Sequence, residues 1–220
     1  MLLRPEQRTK IDSSNDTDFY ALPRLVTHVD ETFIDRLTQL YRDQLQPNSR
    51  ILDLMSSWVS HLPDDLNFAH VEGHGLNEEE LSKNRRLDHY FVQNLNDNPK
   101  IPLPDTDFDA VLIAVSVQYL QYPDAVFSEI HRILKPGGKA IVSFSNRMFY
   151  QKAIAAWRDN SEPGRIELVK RYFHSTQGFS SPEVIVQKPV KPLIMQMLGL
   201  GGSDPFYAVM ATRTDPLTPV

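Results

Sequence analysis

The segment that most constrains this chain lies between residues 109 and 145. Residues 109–115, Asp-Ala-Val-Leu-Ile-Ala-Val, are apolar without alternation, as a strand covered on both faces must be. Asp124 offers a cap for a helix whose inward stripe is Val126, Phe127, Ile130, Ile133 and Leu134. Lys135-Pro136-Gly137-Gly138 stops that helix, with glycine available for the left-handed position at its end. Residues 139–145 read as the next strand. Strand, helix and strand at this spacing predict a right-handed βαβ crossover, and with it an α/β fold built on a parallel sheet.

The flanking chain supplies the remaining elements. An amphipathic helix is predicted over 31–45, with Ile34, Leu37, Tyr41 and Leu45 in one stripe and Pro47-Asn48 as its stop. Strands are predicted over 51–55, 68–74 and 90–95. Asn77, followed by Glu80 three residues on, marks the start of a short helix between the second and third. Residues 96–106, rich in Pro, Asp and Asn, form a loop. Two helices are expected after residue 145, over 148–159 and over 161–174, the latter with Pro163 in its first turn. Strands at 184–187 and 206–212 follow, with a short helix over 193–198 that Gly199, Gly201 and Gly202 break. The expected organisation is a flexible lead-in over 1–19, one domain over 20–213 and a flexible tail over 214–220.

Composition narrows the partners. The net charge of −5 disfavours nucleic acid, which calls for a basic surface. No apolar run reaches the ~20 residues of a bilayer span, and the charged N-terminus is unlike a signal peptide. The 220 residues include no cysteine, which removes disulfides, thiolate metal sites and a thiol nucleophile. His70 and His74 share one side of the second strand, with His61 one loop away, but without cysteine or paired carboxylates beside them a metal site is not expected. A small-molecule substrate and the cytoplasm are the expectations; the oligomeric state is open.

Three stretches carry a resemblance: Ile51-Leu52-Asp53-Leu54; Phe108-Asp109-Ala110-Val111-Leu112; and Glu129-Ile130-His131-Arg132-Ile133-Leu134-Lys135-Pro136-Gly137-Gly138. Together they resemble class I S-adenosylmethionine-dependent methyltransferases of the type 11 group, over roughly residues 30–150. The resemblance implies a Rossmann-like, seven-stranded, mostly parallel sheet with helices on both faces and an antiparallel last strand. It implies S-adenosylmethionine as cofactor and in-line methyl transfer to a small molecule. It also implies cofactor contacts at Asp53, Met55, Ser56, Ser57, Gly75, Asn94, Leu95 and Ser116.

The chain departs from the pattern it resembles. Where the family has Gly-x-Gly-x-Gly after strand one, this chain has Met55, Ser57 and Val59, with Ser56 and Trp58 between. Strained backbone is expected at Val59. Gly75 stands where the family has the acid that holds the ribose, and Asn94 replaces the Asp that contacts adenine. Ser56 and Ser57 are expected either to hold the cofactor carboxylate or to cap the next turn, and Trp58 to pack over that turn. Tyr20, Arg24 and His28 recur every four residues, so a helix would put them on one face. Tyr20 and Arg24, with Gln118 after strand four, are candidates for substrate binding. Tyr119 and His28 are candidates for a catalytic base. Two readings stay open: a methyltransferase, and a non-catalytic descendant that has lost the cofactor contacts.

Overall fold

A computed structural model describes residues 2–188 and 203–214. Seven strands form one sheet in the order β3-β2-β1-β4-β5-β7-β6. They are β1 (Arg50–Asp53), β2 (His70–Gly75), β3 (His89–Val92), β4 (Phe108–Ala114), β5 (Leu134–Phe144), β6 (Glu183–Gln187) and β7 (Phe206–Thr212). The first five run parallel, and β7 lies antiparallel between β5 and β6. The strand order reverses between β1 and β4. In open α/β sheets, ligands bind beyond the strand C-termini at such a switch point.

The uniform apolar run of β4 resolves into two faces. Val111 and Ile113 join Leu52 and Val142 in one core layer, while Ala110 and Leu112 join Ile51 and Ile141 in the other. Helix α2 (Glu31–Gln44) covers the second layer with Phe33, Leu37 and Tyr41, each fully buried. Helices α4 (Pro123–Ile133) and α6 (Glu162–His174) cover the first through Phe127, Ile130, Val169 and Phe173. The remaining helices are short: α1 (Asp16–Phe19), α3 (Glu78–Lys83) and α5 (Ala155–Arg158).

The structure corrects several expectations. Residues 2–19 of the expected lead-in are packed rather than loose. Leu3 is 1% exposed within the first core layer. The Lys10 ammonium is 2.5 Å from Asp16, and both side chains are buried. The long helix expected over 148–159 is reduced to α5. Lys152 explains this: it is fully buried, donating to the Ser14 carbonyl at 2.7 Å and facing Asp12 and Asp16 at 3.3 and 3.5 Å. That network, with the Ala155 N–H on the Thr9 carbonyl, exchanges helical hydrogen bonds for contacts to the N-terminal segment. Asp124 does not cap α4, which starts on Pro123; its carboxylate takes the Leu2 N–H. The Lys135–Gly138 turn belongs to the start of β5, and Gly137 has φ +80°. Residues 20–28 are not helical. The helix expected over 193–198 and the tail over 215–220 lie outside the described residues.

Leu3→Ala should lower unfolding free energy by about 2–5 kcal/mol, read as a lower denaturant midpoint; a loose N-terminal segment would give no change.

Candidate functional site

A cavity of about 280 Å³ opens at the switch point, beyond the ends of β1, β2 and β4. Asp53, the last residue of β1, lies in its wall and is 3% exposed. Burial pushes its carboxyl pKa up to about 6 from 3.8, partly offset by the Ser56 and Ser60 hydroxyls. The Ser56 hydroxyl donates to Asp53 at 2.6 Å.

The loop after β1 is built without glycines. Met55, at the first glycine position, takes φ 59°, whereas Val59 does not have positive φ. The strain therefore falls on Met55, at a cost of about 1–2 kcal/mol, and not on Val59. Val115, just past β4, has φ 52°, so both strands at the switch point end on a left-handed residue. Such strain persists only where the surroundings enforce it, and His74 does so on the β1 side. Its Nδ1 accepts the Met55 N–H at 3.1 Å and its Nε2 donates to the Gln93 carbonyl at 2.9 Å, while its own carbonyl takes the Ser56 N–H at 2.7 Å. Burial lowers the ring pKa to about 4, keeping it neutral. With both nitrogens engaged, His74 has no lone pair for a metal. His70 pairs instead with Glu72 at 2.8 Å, and no metal-binding group of three or more His, Cys, Asp or Glu is present among the described residues.

The serines are already committed. The Ser57 hydroxyl donates to Glu80 at 2.6 Å, as Ser56 does to Asp53; neither caps a helix, and neither hydroxyl is left to donate to a cofactor carboxylate. Gly75 is glycine for a local reason: a Cβ there would lie 2.6 Å from the Ser56 carbonyl oxygen. Asn94 forms a turn, its side-chain oxygen accepting the Asn96 N–H at 3.1 Å and its amide donating to Asp97. Leu95 is buried in the wall, and Ser116 presents a buried hydroxyl without a partner. Gln118, a substrate-binding candidate, does not reach the cavity: it is 1% exposed and its amide donates to the Val115 carbonyl. Tyr119 lines the cavity, but burial pushes its pKa up to about 12, and its hydroxyl accepts the Phe149 N–H at 2.8 Å. Both facts argue against a base.

Residues 20–29 cross the cavity as irregular chain. Tyr20, Arg24 and His28 all line it, without the helix expected to align them. Three contacts hold the crossing. The Asn77 amide donates to the Tyr20 and Ala21 carbonyls, the Arg24 N–H donates to Glu80 at 2.6 Å, and the Trp58 indole donates to the Val26 carbonyl at 3.2 Å. Glu80 was legible only as an acid suited to a helix start. In the structure it is 8% exposed and joins this segment to the β1 loop. Burial holds the His28 pKa below its usual value, so the ring is neutral at physiological pH.

Comparison with known proteins agrees with this architecture. A methyltransferase-domain model matches residues 58–142. A ubiquinone/menaquinone biosynthesis C-methyltransferase from Chromobacterium violaceum is 39% identical over 64 residues, covering 28% of this chain and 26% of that protein. The chain thus spans about a quarter of that relative's length. Among solved structures, phosphoethanolamine N-methyltransferase 2 of Haemonchus contortus, in complex with S-adenosyl-L-methionine, aligns with a TM-score of 0.56 at 16% identity, over 82% of this chain and 52% of that one. A SAM-dependent methyltransferase from Archaeoglobus fulgidus aligns with a TM-score of 0.57 at 15% identity, over 83% and 94%. The strand order and these structural matches show a Rossmann-like fold shared with S-adenosylmethionine-dependent methyltransferases, and residues 58–142 are similar to a methyltransferase domain.

Because Asp53 is harder to ionise when folded, its charge destabilises the fold at any pH above about 6 and has no effect below about 4. Asp53→Asn should therefore raise unfolding free energy at pH 8 by up to about 3 kcal/mol, with the gain vanishing near pH 4. Equal stabilities at both pH values would contradict the buried-carboxylate assignment.

Proposed function

We propose that the chain is an S-adenosylmethionine-dependent methyltransferase acting on a small molecule, not on nucleic acid, with the cytoplasm as its compartment. The carrying observation is that the switch-point cavity stays open beside the buried Asp53 although the loop glycines are gone. The Met55 side chain packs on the core, and the Trp58 indole is tied to Val26. A carboxylate that is costly to ionise alone suits a ligand ammonium, and the unpartnered Ser116 hydroxyl adds a donor or acceptor. The net charge of −5 and the absence of a basic run support the exclusion of nucleic acid. The cysteine-free composition is in keeping with the compartment.

When bound, the cofactor supplies the electrophilic sulfonium methyl. The protein's part is then to hold an acceptor in line and exclude water. Asp53 would hold the cofactor's amino group, and Leu95 an apolar face. Residues 20–29 would shield the reacting atoms from solvent. His28, neutral and in the wall, is the residue suited to take the acceptor's proton.

Two observations favour the second reading, a non-catalytic module. The close approach of Ser56 to Gly75 leaves no room for the ribose-holding acid at that position, and Asn94 is turned into its own loop. Binding separates the two. With S-adenosylhomocysteine at 100 times Kd, linkage predicts about 2.7 kcal/mol of stabilisation, or a Tm rise of about 5–11 °C. Affinity should also fall about tenfold per pH unit below 6, as Asp53 takes up a proton that the ligand ammonium must displace. No Tm shift at millimolar ligand would leave the non-catalytic reading standing.

A further inference from the structure

Arg24 is the unexplained cation of the cavity. Its guanidinium carbon lies 4.6, 5.5 and 5.3 Å from the ring centroids of Phe19, Tyr20 and Phe149. Nη2 donates to the Phe19 carbonyl at 2.9 Å, while Nη1 is buried without a partner. No carboxylate pairs with the guanidinium among the described residues. Arg147, the other arginine in the wall, is already held by Asp204 at 2.8 Å. Three rings fix the plane of the Arg24 guanidinium, which lowers the entropy cost of presenting its N–H groups to a ligand.

The backbone at Arg24 is tied to the loop that lost its glycines. Its N–H donates to one oxygen of Glu80, and the other oxygen accepts from the Ser57 hydroxyl. With both serine hydroxyls committed to acids and the Trp58 indole to Val26, residues 55–59 have no free side-chain donor for an anion, and His61 further along is kept neutral by burial.

We propose that Arg24 anchors a ligand carboxylate, the one on the aminoacyl end of the cofactor, in place of the glycine loop. This rests on the cofactor reading above. A partly buried cation without a counter-ion is costly in the free protein. Satisfying it with a carboxylate gives charge-assisted hydrogen bonds that a planar fork makes well. The arginine and Asp53 then divide the zwitterion between them: the guanidinium takes the carboxylate and Asp53 takes the ammonium.

The test is calorimetric titration of the full chain with S-adenosylhomocysteine and with its decarboxylated analogue, which keeps the adenosyl, thioether and amine groups. Wild-type protein should prefer S-adenosylhomocysteine by about 10–100-fold. Arg24→Gln should abolish that preference by weakening S-adenosylhomocysteine alone, and Arg24→Lys, which keeps the charge without the fork, should retain part of it. Melting temperatures of both variants establish that they are folded. A wild-type preference preserved in Arg24→Gln overturns the proposal, as does an equal loss for both ligands, which would mean that Arg24 only shapes the cavity. Wild-type protein that binds neither ligand overturns the cofactor reading itself, and the proposal with it.

Discussion

The hydrogen bond from the Met55 N–H to His74 Nδ1 holds the site together. In a loop of glycines, left-handed backbone angles are free of steric cost. Here a methionine takes φ 59°, and the cost is met by His74, which clamps Met55 with its ring and Ser56 with its carbonyl. The ring is itself oriented by the Gln93 carbonyl beyond β3. The ends of β1, β2 and β3 are thereby fixed relative to one another through one neutral, fully engaged imidazole. The 2.6 Å that a Cβ at Gly75 would leave to Ser56 follows from the same closeness.

The next consequence is the redistribution of acids. With glycine and no acid at the end of β2, the cavity wall holds three carboxylates, Asp16, Asp53 and Glu80, all under 10% exposed. Asp16 pairs with Lys10, while Asp53 and Glu80 each take one serine hydroxyl of the loop. Glu80 spends its other oxygen on the backbone of Arg24, so an acid that starts α3 also fastens the segment covering the cavity. Asp53 faces the cavity at a pKa near 6, a buried acid whose charge lacks a cationic partner.

The architecture was legible because β4, α4 and the turn before β5 each express one requirement strongly. A strand buried on both faces must be apolar throughout, and its helix must carry a stripe at Val126, Phe127, Ile130 and Ile133. Some positions that line the cavity, Asp53, Gly75, Leu95 and Ser116, were legible too, since they lie at strand ends that the pattern locates. Their bonding was not. Ser56 and Ser57 were read as cofactor ligands or caps, yet they serve Asp53 and Glu80, partners 3 and 23 residues away. Lys152 has no periodic signal, and its burial against Ser14 and Asp12 is a pairing over more than 130 residues. Likewise Tyr20, Arg24 and His28 converge through anchors at Asn77, Glu80 and Trp58, contacts that local spacing does not encode.

A loop without glycines still leaves a cavity open at the switch point. A crystal structure of the chain grown with S-adenosylhomocysteine tests most directly whether the cofactor is held there. Ligand density is expected between the ends of β1 and β4, with the amino group on Asp53 and with Met55 and Trp58 in their present positions. A cavity that stays empty at saturating ligand, or one filled by the Met55 or Trp58 side chain, would contradict it.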